Sequence, residues 1–233
     1  MAQLRAASTA LSSAPPPALD VHRLRWGGAG RPLDLRLLPG EAVAVVAAQD
    51  EPESAERARG LLRVLAGAEP ALGGLFAVAG RELSGDRAEA RWLTGLAGPP
   101  PYGTAAWAGD TTLGAALVSH GQLMRLSRGQ ARDRAAELAF DLELVPLLEL
   151  GWDELTPGEL LRARIALAML HRPAVLLLDD PAAGLSPQEG EELRALLRML
   201  RDPAGADGGV AVLLTTPDLS SVALLADRAV PLP

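Results

Sequence analysis

Residues 155–187 read LTPGELLRARIALAMLHRPAVLLLDDPAAGLSP. The segment begins as an amphipathic helix initiated by Pro157, then becomes an unbroken apolar run, Val175-Leu176-Leu177-Leu178, that ends on Asp179 and Asp180. A short apolar run with charge only at its carboxyl end is the pattern of a strand covered on both faces of a parallel sheet. Ligands of open α/β sheets sit at such strand ends, which makes Asp179 and Asp180 the first candidate site residues.

Composition narrows the rest. A chain of 233 residues with 48% apolar content can bury a substantial core as one domain or as a domain with a subdomain. It has no Cys, so disulfides and thiolate metal sites are excluded. A net charge of -7 argues against nucleic acid or an anionic membrane surface as a direct partner. The three His residues (His22, His120, His171) are scattered rather than clustered as metal ligands. No apolar run reaches the roughly 18 residues of a membrane span, so membrane association is expected through a partner and not by direct insertion. All 22 basic residues are Arg. A phosphate loop of the P-loop kind uses a Lys to reach the β/γ-phosphates, and no position here supplies one.

Working outward, residues 1–18 carry SSAPPPA and read as a disordered tail without a signal peptide. Strands are expected at 21–26, 33–38 and 41–48, then at 73–80 and 92–97. Between the third of these and the helical stretch beginning Leu61-Leu62-Arg63 lies AAQDEPESAERARG, read as a long loop with no Gly before Gly60. Gly lets successive backbone N–H groups converge on an anion, whereas here Pro52 removes an N–H and Asp50, Glu51, Glu53 and Glu56 bring carboxylates. Asp50 followed by Pro52 and Glu53 reads as a self-capped helix start with an acidic first turn. A proline-rich linker follows Ala97, and helices are expected from Thr112 and over about 130–150. Thr156-Pro157-Gly158-Glu159 and Ser186-Pro187-Gln188-Glu189 are capping boxes, the second opening a helix to about Leu200, and Thr216-Pro217 reads as a further helix start.

Over roughly residues 19–233 the chain resembles the ATP-binding domains of ABC transporters, with Leu155-Thr156-Pro157-Gly158-Glu159 in place of the LSGGQ signature and Val175–Asp180 in place of the Walker B segment. Leu126-Ser127-Arg128-Gly129-Gln130 imitates the signature but stands too far from Asp179. The resemblance implies an α/β fold of the P-loop NTPase type. A mostly parallel core sheet would be joined by an antiparallel β portion and an inserted α-helical subdomain, with core segments 19–98 and 158–233 around helical residues 99–157. It also implies roles: Trp26 where an aromatic stacks on adenine, Asp179 where a carboxylate holds the water shell of Mg²⁺, Asp180 where a Glu polarises the attacking water, and Thr156 and Gly158 facing a γ-phosphate. Trp26 equally reads as a cover for a sheet edge, and the caps and strand-end carboxylates as ordinary structure.

Against the family pattern five features are altered together: the phosphate loop, the Gln that should lie near 97–102, the Glu replaced by Asp180, the dimer-loop Asp replaced by Ser186, and the switch His replaced by Pro217. The expectation is therefore a chain unable to hydrolyse ATP by itself, which pairs with an intact ABC ATPase subunit and a transmembrane permease. ATP and Mg²⁺ would be held at a site shared with that partner, peripherally on the cytoplasmic face of the membrane. The alternatives are a weak ATPase that binds through Trp26, Asp179 and Arg57 or Arg59, and a soluble scaffold. The Ala, Arg and Pro richness suggests a GC-rich bacterial genome.

Overall fold

A computed structural model describes residues 16–27, 31–49, 51–98, 111–205 and 209–233. Two sheets organise them. The first is antiparallel, in the order β2-β1-β4-β5, with β1 Leu19–Arg25, β2 Leu33–Leu37, β4 Gly73–Val78 and β5 Arg81–Glu82. The second runs β6-β7-β8-β3-β9, with β3 Ala42–Val46, β6 Thr94–Ala97, β7 Val175–Asp179, β8 Ala211–Thr216 and β9 Arg228–Pro231. All its pairings are parallel.

The parallel sheet is covered on both faces, which explains the unbroken apolar runs. Successive side chains of a strand point to opposite faces. Leu176 and Leu178 of β7, with Ala42, Ala44, Val212 and Leu214, join a core shared with helices α3 Leu113–Leu123, α4 Arg128–Asp141, α5 Pro157–Met169 and α6 Pro187–Arg201. Val175 and Leu177, with Val43, Val45, Ala211 and Leu213, face a second core formed with α1 Pro52–Leu65 and the antiparallel sheet. Helices α2 Arg87–Leu93 and α7 Leu219–Leu225 complete the described elements. No helix among the described residues is long and apolar enough to cross a membrane.

Several expectations need correction. Most of the segment read as a loop before Leu61 is helix, because α1 begins at Pro52, whose fixed φ suits the first turn, and continues through good helix formers. The expected cap Asp50 lies outside the described residues, and the N-cap is Glu51, whose side chain makes no capping hydrogen bond. The strand expected over 92–97 is α2 followed by the four residues of β6, α2 being started by Asp86, which accepts from the Glu89 N–H. The helix expected to about 150 ends at Asp141 and gives way to short 3₁₀ turns. Thr216 does not start α7; Asp218 does, accepting from the N–H groups of Ser220 and Ser221. The signature look-alike is itself a cap, since Ser127 accepts from Gln130 and the Gln130 side chain accepts from Ser127. The expected tail up to residue 15 and the proline-rich linker after Gly98 lie outside the described residues.

Candidate functional site

The carboxyl ends of β7 and β8 lie side by side, with Asp179 paired in register to Thr215. This adjacency ties both candidate carboxylates to the neighbouring strand. Thr215 Oγ1 donates to Asp179 Oδ1 at 3.2 Å, and Thr216 Oγ1 donates to Asp180 Oδ1 at 3.0 Å. The backbone of Asp180 is left-handed, with φ of 43°, where the chain leaves β7, and its N–H donates to the Thr215 carbonyl. A non-Gly residue there carries conformational strain, which the two flanking hydrogen bonds hold in place.

Across from these carboxylates, α1 presents Arg59. Its Nε lies 3.3 Å from Asp179 Oδ2 and its NH1 lies 3.5 Å from Glu56 Oε2, so a carboxylate–guanidinium–carboxylate chain spans from α1 to the end of β7. Burial raises the pKa of Asp179, an effect that the Arg59 charge and the Thr215 hydroxyl oppose. Burial also raises that of Asp180, opposed first by the Thr216 hydroxyl, while the neighbouring Asp179 charge adds to the rise. In the turn before α1, the Ala48 N–H donates to Ser54 Oγ at 2.8 Å, so part of the backbone donor capacity there is already used.

Trp26 packs against the same helix, at Arg57 and Gly60. It is 4% exposed, its Nε1 donates to the Arg57 carbonyl at 2.6 Å, and a Cβ placed on Gly60 would come within 3.0 Å of its ring. The ring is thus packed on α1. Arg57 turns toward the carbonyl of Pro233, leaving Arg59 as the guanidinium at the β7 end.

Thr156 and Gly158 stand at the start of α5. Thr156 Oγ1 accepts from the Glu159 N–H, and Glu159 Oε2 accepts from the Thr156 N–H at 2.8 Å. Glu189, from the capping box of α6, accepts from the Ser186 N–H at 2.8 Å and also from the Gly158 N–H, interactions that hold its pKa low. A Cβ on Gly158 would lie 2.7 Å from Glu189 Oε1. The helix start that could face a phosphate therefore already carries a carboxylate of its own chain. Among the described residues no hydrogen bond joins Thr156 or Gly158 to the β7 carboxylates.

Thr215, Thr216 and Glu189 escaped the sequence reading as site residues. The Thr-Thr pair ending an apolar run was available as a signal, but only strand register shows which acid each hydroxyl meets. Glu189 was legible as a cap of α6 and not as a contact of α5.

Comparison with known proteins follows from this geometry. The chain is 35% identical over 106 residues to the high-affinity branched-chain amino acid transport ATP-binding protein BraF of Pseudomonas aeruginosa, a match covering 46% of this chain and 40% of that protein. It is 38% identical over 112 residues to the cobalt import ATP-binding protein CbiO of Rhodobacter capsulatus, covering 48% and 38%. It is 33% identical over 156 residues to the daunorubicin resistance ATP-binding protein DrrA2 of Streptomyces coeruleorubidus, covering 67% and 46%. The chain thus spans less than half the length of these relatives. Among solved structures, cbiO1 from Clostridium perfringens, part of the ABC transporter complex cbiONQ, superposes with a TM-score of 0.75 at 19% identity, covering 93% of this chain and 84% of that one. No family model matches.

Proposed function

The chain belongs to the ABC-type ATP-binding domains, and from that premise we propose that it is a non-catalytic member of a transporter's ATP-binding pair. The observation that carries this reading is the Arg59–Asp179 ion pair in a chain whose basic residues are all Arg. Phosphoryl transfer rests on positioning and on electrostatics around phosphate and Mg²⁺. Here the carboxylate that would organise the metal is held by a guanidinium of the same chain, so a divalent cation approaching Asp179 meets a positive charge. Asp180, the residue in the position of the general base, is anchored to Thr216 and has one methylene less than Glu with which to reach a water. These residues do not fit a Mg-triphosphate held by this chain alone.

In this reading an intact ATP-binding partner supplies the Lys, the metal ligands and the base. This chain lends the start of α5, with Thr156 and Gly158, to the partner's phosphate. Glu189 occupies that place in the unpaired chain and swings out for the phosphate; as a half-buried side chain outside both hydrophobic cores it does so without disturbing them. A permease subunit completes the assembly, which sits peripherally on the cytoplasmic face of the membrane.

The test is purification of the tagged chain from detergent-solubilised membranes. A Lys-containing ATP-binding subunit and a membrane subunit are expected to come with it, and Thr156→Ala or Gly158→Asp is expected to lower ATP turnover of that complex while this chain stays folded. Recovery of the chain alone in the soluble fraction, or unchanged turnover in both variants, overturns the reading.

A further inference from the structure

We propose that, before nucleotide arrives, the Glu189 carboxylate receives the ammonium group of the Lys that the ATP-binding partner otherwise extends to phosphate, so that an ion pair links the two chains. The inference rests on the pairing proposed above and adds a contact that holds the nucleotide-free pair together. A carboxylate that accepts backbone N–H groups at a helix start offers the oxygens that a phosphate offers there. Glu189 is placed in this way. Its Oε2 accepts from the Ser186 N–H at 2.8 Å, and its Oε1 is the atom that a Cβ on Gly158 would meet at 2.7 Å. A Lys aimed at a phosphate on the start of α5 is therefore aimed at Glu189 when phosphate is absent.

The surroundings suit a Lys. Leu161, Leu185 and Leu193 border a shallow cleft beside Glu189 and Gly158. Apolar walls take the methylene stem of a Lys while a carboxylate at the rim takes its charged tip. Arg162 also borders the cleft, but its guanidinium ion-pairs with Glu143 at 3.2 Å. Glu192, the other acid of the cleft, is exposed and accepts from Gln188 Nε2 at 3.0 Å. Glu189 is half-buried and fixed by its capping box, which makes it the carboxylate with a set position. This chain has no Lys to fill the place, so the ammonium has to come from another chain.

The same lack of Lys makes the contact readable. A zero-length carbodiimide joins a carboxylate to an amine in contact with it, and apart from an N-terminal amine this chain brings only carboxylates to that reaction. The reagent is applied to the nucleotide-free complex purified from detergent-solubilised membranes. It is expected to join Glu189 to a Lys of the ATP-binding partner, identified by mass spectrometry of the linked peptides. The yield is expected to fall about tenfold with Mg-ATP at about ten times its Kd. Glu189→Gln keeps the capping box and is expected to remove the link while both chains are still recovered. The nucleotide arm uses the unaltered chain, so it decides the matter where Glu189→Gln fails to fold. A recovered pair in which Glu189 stays unlinked, or a link that Mg-ATP leaves unchanged, overturns this inference alone. Recovery without a Lys-containing ATP-binding subunit overturns the proposed pairing together with it.

Discussion

Asp180 combines a partly buried carboxylate with a left-handed backbone. Its pKa is raised from the ordinary 3.8, so the stability it contributes is fully present below that value and is lost as pH rises through the raised one. Asp180→Asn keeps an oxygen to accept from Thr216 and cannot ionise; Asn also tolerates left-handed φ. The variant is expected to melt at a higher temperature than the parent at pH about 7.5, and the difference is expected to shrink toward pH about 4. An equal difference at both pH values would refute burial as the cause. At the neighbouring position, a double-mutant cycle on Arg59→Ala and Asp179→Asn is expected to show a coupling of about 0.5–1 kcal/mol in urea unfolding, held down by the exposure of the Arg59 side chain. Titration of the purified chain with a fluorescent ATP analogue is expected to show no Mg²⁺-dependent binding at millimolar levels; such binding would favour the weak-ATPase alternative.

At the scale of elements, the caps are where residue order speaks most directly. Thr156 and Ser186 start α5 and α6 as their capping boxes require, because the bonding partners lie within three residues. Thr156→Ala is expected to cost about 1 kcal/mol of stability by urea titration, since Glu159 loses its N–H acceptor. The packing of α5 on β6 was not readable in this way. A Cβ on Gly95 would meet the Ala168 carbonyl oxygen at 2.2 Å, a backbone atom that cannot step aside. Gly95→Ala is therefore expected to destabilise by about 3 kcal/mol, read as a shift of the denaturation midpoint, and a near-neutral effect would mean that α5 does not seat there. The strand expected over 92–97 holds only from Thr94, because Asp86 starts a helix through Leu93 whose apolar periodicity is too short to distinguish from a strand.

Across the whole molecule, two cores on opposite faces of one parallel sheet hold the α1 side and the helical side together. Leu177, fully buried in the core that includes α1, is expected to cost about 2–5 kcal/mol as Ala. Where the helical side meets α2 and β6, burial lowers the pKa of His120 to about 4. Its folded value lies below the ordinary 6.5, so the stability tied to neutral His120 is present above that value and is lost as pH falls toward about 4. His120→Leu is expected to flatten the loss of stability in urea titrations between pH about 7 and about 4.5; an unchanged slope would clear His120 of that role.

What the residue order determined by itself was the alternation of apolar runs and capped helices, the strand ending on Asp179 and Asp180, and the absence of any Lys. Those features depend on neighbours a few positions apart or on composition, and such effects survive without knowledge of packing. Only the tertiary structure decided that Arg59 meets Asp179, that Trp26 is buried on α1, that Glu189 reaches the start of α5, and that Trp92, Arg125 and His171 share a cleft. Each of these joins residues far apart in the chain through strand register and helix packing, and no local spacing encodes those distances.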